Sequence, residues 1–319
     1  MEGNFTIPDD ECTLQTCTLA QAHYTYLPSL GGNAFYAGWF GLLIVLQIVL
    51  VIRYRIWGYF VAMFGGLVLE ILGYVARIQM HFNPFTKSPY SMYLVCLTIA
   101  PAFLGAAVYL CLSRIVVVYG QKLSRFRPRT YTVVFIACDV ISLFLQAAGG
   151  GVASGGASQS SANAGKDLLL AGLGFQVAAT LLFTMACAEF AWRVHKAGPD
   201  ACEPTHMILR SSWKFRIILW SLGLAITCIF TRSVYRVAEL SQGLHGALAN
   251  QEVTFMILEG AMIFIASGSQ TFLHPGFCFQ GSWEAADFSL GRSNRENNKE
   301  DLALSDMNNV VENGGESLK

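Results

Sequence analysis

Apolar residues fall into seven long blocks separated by short polar stretches: Ala34–Ile52, Ile56–Ala76, Met92–Val118, Tyr131–Gly150, Leu168–Ala191, Phe215–Arg236 and Val253–Leu273. A helix that crosses a bilayer needs about 20 mostly apolar residues, and each block is close to that length. None shows the alternation of a barrel strand. Helices are expected because hydrocarbon offers the backbone no hydrogen-bond partner but itself. The pattern predicts an all-α, polytopic membrane protein, a seven-transmembrane-helix bundle over residues 34–276. Residues 53–55 leave room only for a tight hairpin between spans one and two. After about Gly281 the chain becomes Asn-, Glu- and Ser-rich with few aromatics. Such a segment buries too little apolar surface to fold, so 277–319 is expected to be a disordered cytosolic tail. Residues 1–33 are read as an extracellular segment.

Charge sets the orientation, because cytosolic loops carry an excess of Lys and Arg. Residues 1–33 contain neither. One face of the bundle has Arg53, Arg55, Lys122, Arg125, Arg127, Arg129, Arg193, Lys196, Arg210 and Lys214, and the other has Arg77, Lys87 and Lys166. Ten against three predicts the N-terminus outside and the C-terminus inside. The first thirty residues lack a basic region followed by an apolar one, so the first span is expected to direct insertion. Asn4-Phe5-Thr6 is a glycosylation sequon, and Cys12 and Cys17 would meet an oxidising compartment, where they are disulfide candidates. The other cysteines are expected to be small buried packing residues. The C-terminus shows no prenylation box.

Composition narrows the chemistry. The chain is 54% hydrophobic and 13% charged, with zero net charge. Lacking a basic run with interleaved aromatics, it gives no sign of a nucleic-acid partner. The six histidines lack metal-ligand spacing, so no metal, cofactor or enzymatic activity is expected. The run from Gly149 to Gly156 lacks the Gly-Lys-Ser/Thr ending of a phosphate loop and is expected to be a flexible exit from span four.

Charges inside a bilayer point to function by default. At about 1.5 Å per residue, Glu70 lies roughly 20 Å up span two, and Arg77 follows seven residues later on the same face. Arg232, Arg236 and Glu239 repeat that spacing in span six, and Glu259 lies roughly 10 Å below the outer surface in span seven. Three acids and three bases therefore share one level with Tyr74 and Tyr235. Two arrangements satisfy this: a polar chamber opening outward for an amphiphile's head group or a proton, or an ion-pair network locking spans two, six and seven. Asp139, Ser142, Gln146 and Gly150 form one stripe on span four. Asp139 lies near the midplane without a basic partner in sequence, and desolvation there disfavours its charged form. Gln176 and Gln270 are expected to hydrogen-bond between helices. Arg114 and Glu189 suit snorkelling or a rim ion pair. Pro101 removes a helical hydrogen bond from span three beside Gly105, Ala106 and Ala107, a small-residue face for close packing and a candidate hinge.

Several stretches together resemble the fungal lipid-translocating exporter family, which includes sphingoid long-chain-base exporters and aminocholesterol-resistance proteins. They are Leu72-Gly73-Tyr74-Val75-Ala76-Arg77; Ala100-Pro101-Ala102 through Tyr109 to Arg114; Cys138-Asp139-Val140-Ile141-Ser142 with Gln146 to Gly151; Gly172-Leu173-Gly174-Phe175-Gln176; Arg232 to Glu239 with Gly243; Glu252; and His274-Pro275-Gly276. They follow the family's order from residue 70 to 276. The family places an aspartate in span seven where this chain has Glu259, so the acid is kept but its reach changes. The resemblance implies a seven-helix bundle in the plasma membrane that exports or flips sphingoid bases, gives tolerance to toxic amphiphiles or, in some members, takes up porphyrins. Its partners would be membrane lipids and an amphiphilic substrate; the oligomeric state is left open.

A second reading is a seven-span receptor or stress sensor, motivated by the basic cytosolic loops and long tail. Receptor signatures are missing, and span three ends in Ser113-Arg114-Ile115. A zinc-dependent lipid hydrolase ranks third.

Overall fold

A computed structural model describes residues 26–155, 159–198, 207–241 and 250–279, together with positions 248 and 283. Seven helices among these residues are long and apolar enough to cross a membrane. In chain order the helices are α1 (Leu30–Tyr54), α2 (Trp57–Phe82), α3 (Lys87–Tyr119), α4 (Pro128–Gly155), α5 (Gln159–Ala197), the short α6 (Met207–Ser211) and α7 (Trp213–Ser241). The seventh span consists of α8 (Glu252–Phe255), a π-helical turn (Met256–Ala261) and α9 (Met262–Phe272). The short α10 (Pro275–Cys278) closes the described helical core. Asn4, Cys12 and Cys17 lie outside the described residues.

Local chemistry sets the helix ends. Ser29 caps α1, its hydroxyl accepting from Gly32 N at 3.3 Å. At the other end Arg55 adopts a left-handed conformation (φ 56°) while its N–H reaches Val51 O at 2.8 Å. Only Arg55 and Ile56 separate α1 from α2, giving the tight hairpin. Gly120, at φ 116°, ends α3; few side-chain-bearing residues tolerate that backbone.

In lipid, helices associate by close contact rather than by burial from water, which favours small residues at crossings. A Cβ added at Gly73 would lie 2.4 Å from Leu97 of α3, and one at Gly149 would lie 2.5 Å from the backbone nitrogen of Leu169 in α5. Residues 149–155 of the Gly149–Gly156 run therefore differ from the flexible exit expected of them: α4 stays helical through Gly155, and the absent side chain of Gly149 lets α5 approach. The most deeply buried span is α3, which packs against α2, α4 and α7.

At the opposite end from Arg77, His274 ties the seventh span to the α1–α2 hairpin. Its ring stacks on Tyr54 (centroids 5.6 Å apart) and meets Tyr59 edge-on at 5.0 Å. Its Nδ1 accepts from Gly276 N at 3.1 Å. The expected tail boundary at 277 cuts through α10, where Cys278 and Phe279 are fully buried. Phe279 packs edge-on against Trp283, whose ring lies under the Arg114 guanidinium. The packed chain thus reaches at least Phe279.

Burial lowers the pKa of His274 from the ordinary 6.5 to about 4. The unfolded chain binds the extra proton first, so stability rises with pH across that window. We expect stability to be full above about pH 6.5 and to fall as pH drops toward 4. Detergent-solubilised His274→Gln should show a flatter unfolding profile from pH 7 to pH 4; an unchanged slope would remove His274 as the cause.

Candidate functional site

The site starts from what Pro101 lacks. A helical residue donates its N–H to the carbonyl four positions back, and proline has none to give. The carbonyl freed by Pro101 is that of Leu97, and Arg232 of α7 donates to it through Nη2. The helix runs unbroken through Pro101. The same guanidinium pairs with Glu259 of the seventh span. One arginine therefore joins α3, α7 and the seventh span at the level of the proline.

Arg236, one turn further along α7, pairs with Glu239 Oε2 at 2.8 Å and lies 3.9 Å from Glu259 Oε1. It also donates to Tyr93 OH at 3.3 Å and Thr98 Oγ1 at 3.2 Å, both on α3. Glu259 sits in the π-helical turn, a form that clusters at functional sites. The turn is braced from α1, where Tyr36 OH donates to Met256 O at 2.8 Å. Gly260 makes this approach possible, since a Cβ there would lie 2.6 Å from the Tyr36 ring and 2.9 Å from Tyr74 OH.

Arg77 closes the cluster. Its guanidinium lies 3.9 Å from the Phe255 ring centroid and 5.1 Å from that of Tyr93. Nε donates to Asn33 Oδ1 at 3.0 Å, and Nη2 donates to Tyr26 OH at 3.1 Å. Asn33 donates to Ser29 O, and Glu252 accepts from Ser29 N. The starts of α1 and α8 are thus tied to the end of α2.

Glu70 differs from the other acids. It lies within electrostatic reach of Arg232, Arg236 and Glu259, yet its Oε1 is buried without a hydrogen-bond partner. Tyr74 OH, Tyr235 OH and Glu259 Oε2 share that condition. Buried polar atoms are normally paired, so these four oxygens, with Arg232 Nε and Arg236 Nε in the same condition, leave both acceptors and donors unmet in one region. None of the six charged residues is more than 4% exposed. The six groups are therefore closed off in this structure, and Arg232, Arg236, Glu239 and Glu259 are joined by ion pairs across α7 and the seventh span.

The structure brings Glu70, Arg77, Arg232, Arg236, Glu239 and Glu259 together. Asp139, Gln146 and Gln176 form a separate polar layer among α3, α4 and α5. Tyr109 OH donates to Asp139 Oδ2 at 3.0 Å, supplying a neutral partner. Gln146 Nε2 donates to Gln176 Oε1 at 3.2 Å, over Gly172. Gln270 accepts from Tyr59 OH through its backbone carbonyl at 2.8 Å. Glu189 forms a rim pair with Arg193 at 2.6 Å. Sequence reasoning missed Asn33, which precedes the first expected span, and missed Tyr93 and Phe255 because an aromatic within an apolar run carries no mark of which way it faces. The proline gave one usable signal: the carbonyl four residues before it needs a donor. Among the described residues no three His, Cys, Asp or Glu side chains group to hold a metal ion.

Seven apolar helices around a buried, charge-balanced cluster define a multi-pass membrane protein. Residues 63–282 match the family model described as RTA1 like protein, and the chain belongs to that family. It is 30% identical over 282 residues to the sphingoid long-chain base transporter RSB1 of Saccharomyces cerevisiae, covering 80% of this chain and 74% of the relative. Protoporphyrin uptake protein 1 of the same yeast is 31% identical over 207 residues, 65% of each chain. Protein RTM1 is 29% identical over 209 residues, 65% of this chain and 64% of the relative. No solved structure matches the chain. The names of the first two relatives describe transport and uptake rather than catalysis.

Proposed function

We propose that this protein translocates amphiphilic lipids of the sphingoid long-chain-base kind across the plasma membrane, exporting them and so raising tolerance to toxic amphiphiles. The observation that carries the reading is the set of unpaired buried oxygens around Glu70. An ammonium group offers three donors and no acceptor, which suits Glu70, Glu259 and the Tyr74 and Tyr235 hydroxyls. The similarity to a long-chain-base transporter supports the same substrate class. In this reading the ammonium reaches Glu70 after Arg77 swings from its cage, the ion pairs of Arg232 and Arg236 hold the surrounding helices in register, and the apolar tail stays between helices. Asp139, Gln146 and Gln176 form a second polar station. The excess of Lys and Arg at one end supports placing the N-terminus outside and the tail in the cytosol; Asn4 would then be available for glycosylation, and Cys12 and Cys17 for a disulfide.

Efflux of a labelled long-chain base from cells expressing Glu70→Gln should fall about tenfold or more at equal surface abundance, equivalent to about 1.4 kcal/mol. Unchanged efflux would remove Glu70 from the path, and equal efflux with and without the protein would remove export of this substrate. Asp139→Asn keeps an acceptor for Tyr109, so a flux loss there would report the ionisable group rather than the hydrogen bond. Uptake of porphyrin-type amphiphiles is the second reading, favoured by the similarity to a protoporphyrin uptake protein. Proteoliposome flux measured with both substrates separates the two.

A further inference from the structure

A positive patch outside the ion cluster lies where α3 hands over to α4. Residues 121–134 carry Lys122, Arg125, Arg127 and Arg129 and no acidic residue. A cavity of about 370 Å³ opens there, lined by Gln121, Arg127, Pro128, Arg129, Val133 and Val134. Arg125 is engaged with Glu189 at 3.6 Å, whereas the side chains of Arg127 and Arg129 are exposed and make no ion pair with any described acid.

The loop that presents them is braced. Ser124 Oγ donates to Phe126 O at 2.8 Å and lies 3.2 Å from Tyr131 OH. Phe126 packs edge-on against Tyr131, with centroids 5.8 Å apart. The first turn of α4 adds the positive end of its dipole, favourable to an anion. On the membrane side of the cavity, Val133, Val134, Ile141 and Phe144 are 55%, 46%, 50% and 72% exposed. Their helical spacing makes one continuous apolar track that begins at the arginines.

We propose that this cavity binds the headgroup of an anionic membrane phospholipid, with Arg127 and Arg129 on its phosphate and the acyl chains along the α4 track. An anionic headgroup complements two unpaired guanidiniums, and the track supplies the reason for a lipid rather than a free anion. The site is separate from the ion cluster, so it stands whether or not the transport reading does.

Purified full-length protein in detergent should bind tail-labelled phosphatidylserine in preference to phosphatidylcholine, measured by fluorescence anisotropy. Arg127→Gln with Arg129→Gln should weaken that binding about tenfold or more. Arg53→Gln with Arg55→Gln, which removes equal charge from the same end of the bundle, should leave it within about twofold. Equal weakening by the two pairs would overturn the site in favour of general attraction to a basic face. So would equal binding of the two lipids, or displacement by equimolar inorganic phosphate.

Discussion

Replacing Arg232 with methionine is expected to lower stability by roughly 3–5 kcal/mol, the usual cost of stranding a buried charge. The substitution leaves Glu259 without its shorter ion pair and the Leu97 carbonyl without a donor. Unfolding of the detergent-solubilised protein, followed by helical signal, measures the loss. A second substitution separates the two causes. Pro101→Ala supplies a backbone N–H for Leu97, so Arg232→Met in that background should cost about 1 kcal/mol less, one net hydrogen bond. A double-mutant cycle reads that difference directly. Strict additivity would mean that Arg232 does not serve the proline-freed carbonyl.

Gly149→Val is expected to be comparably damaging for a different reason. The atoms a Cβ would meet at 2.5 and 2.8 Å are Leu169 N and Gly165 O, both backbone. A side chain can turn aside; a helix backbone has to move as a whole. Overpacking usually costs about 1–3 kcal/mol, and a backbone clash belongs at or above the top of that range. Gly150→Val is the control, since nothing lies within 4 Å of a Cβ there. Each variant replaces one glycine of α4 with valine, and the two differ in what they face. Equal stability of the two would refute the close crossing of α4 and α5.

The seven spans were legible because a bilayer imposes a length and apolar blocks display it. Their ends were less legible. Span five was expected over Leu168–Ala191, but α5 runs Gln159–Ala197. Hydropathy marks where hydrocarbon begins and ends, and a helix can continue into water beyond both limits. Counting rise per residue placed Glu70, Arg77, Arg232, Arg236, Glu239 and Glu259 at one depth. It could not give their pairing, which depends on how each helix is rotated and which helices adjoin. Glu259 shows the limit most clearly: its direction is set by a π-helical turn, which shifts the rotation of the chain around it by about one residue. No hydrophobic pattern announces that turn. The partner of Asp139 was similarly hidden, because Tyr109 reads as one more aromatic in the apolar run of α3.

Pro101 stands between two side-chain fastenings of α3. On one side of it Leu97 is fastened to Arg232, and on the other Tyr109 is fastened to Asp139. In a tilt of α3 at Pro101 the proline would be the fulcrum and the segment from 101 to 109 a lever arm of about 12 Å. A tilt of about 10° there would carry the Tyr109 end through about 2 Å on that arm, enough to break its bond to Asp139. Release of the Leu97 carbonyl would free the fulcrum, so the two polar layers need share no atom for one to feel the other's state.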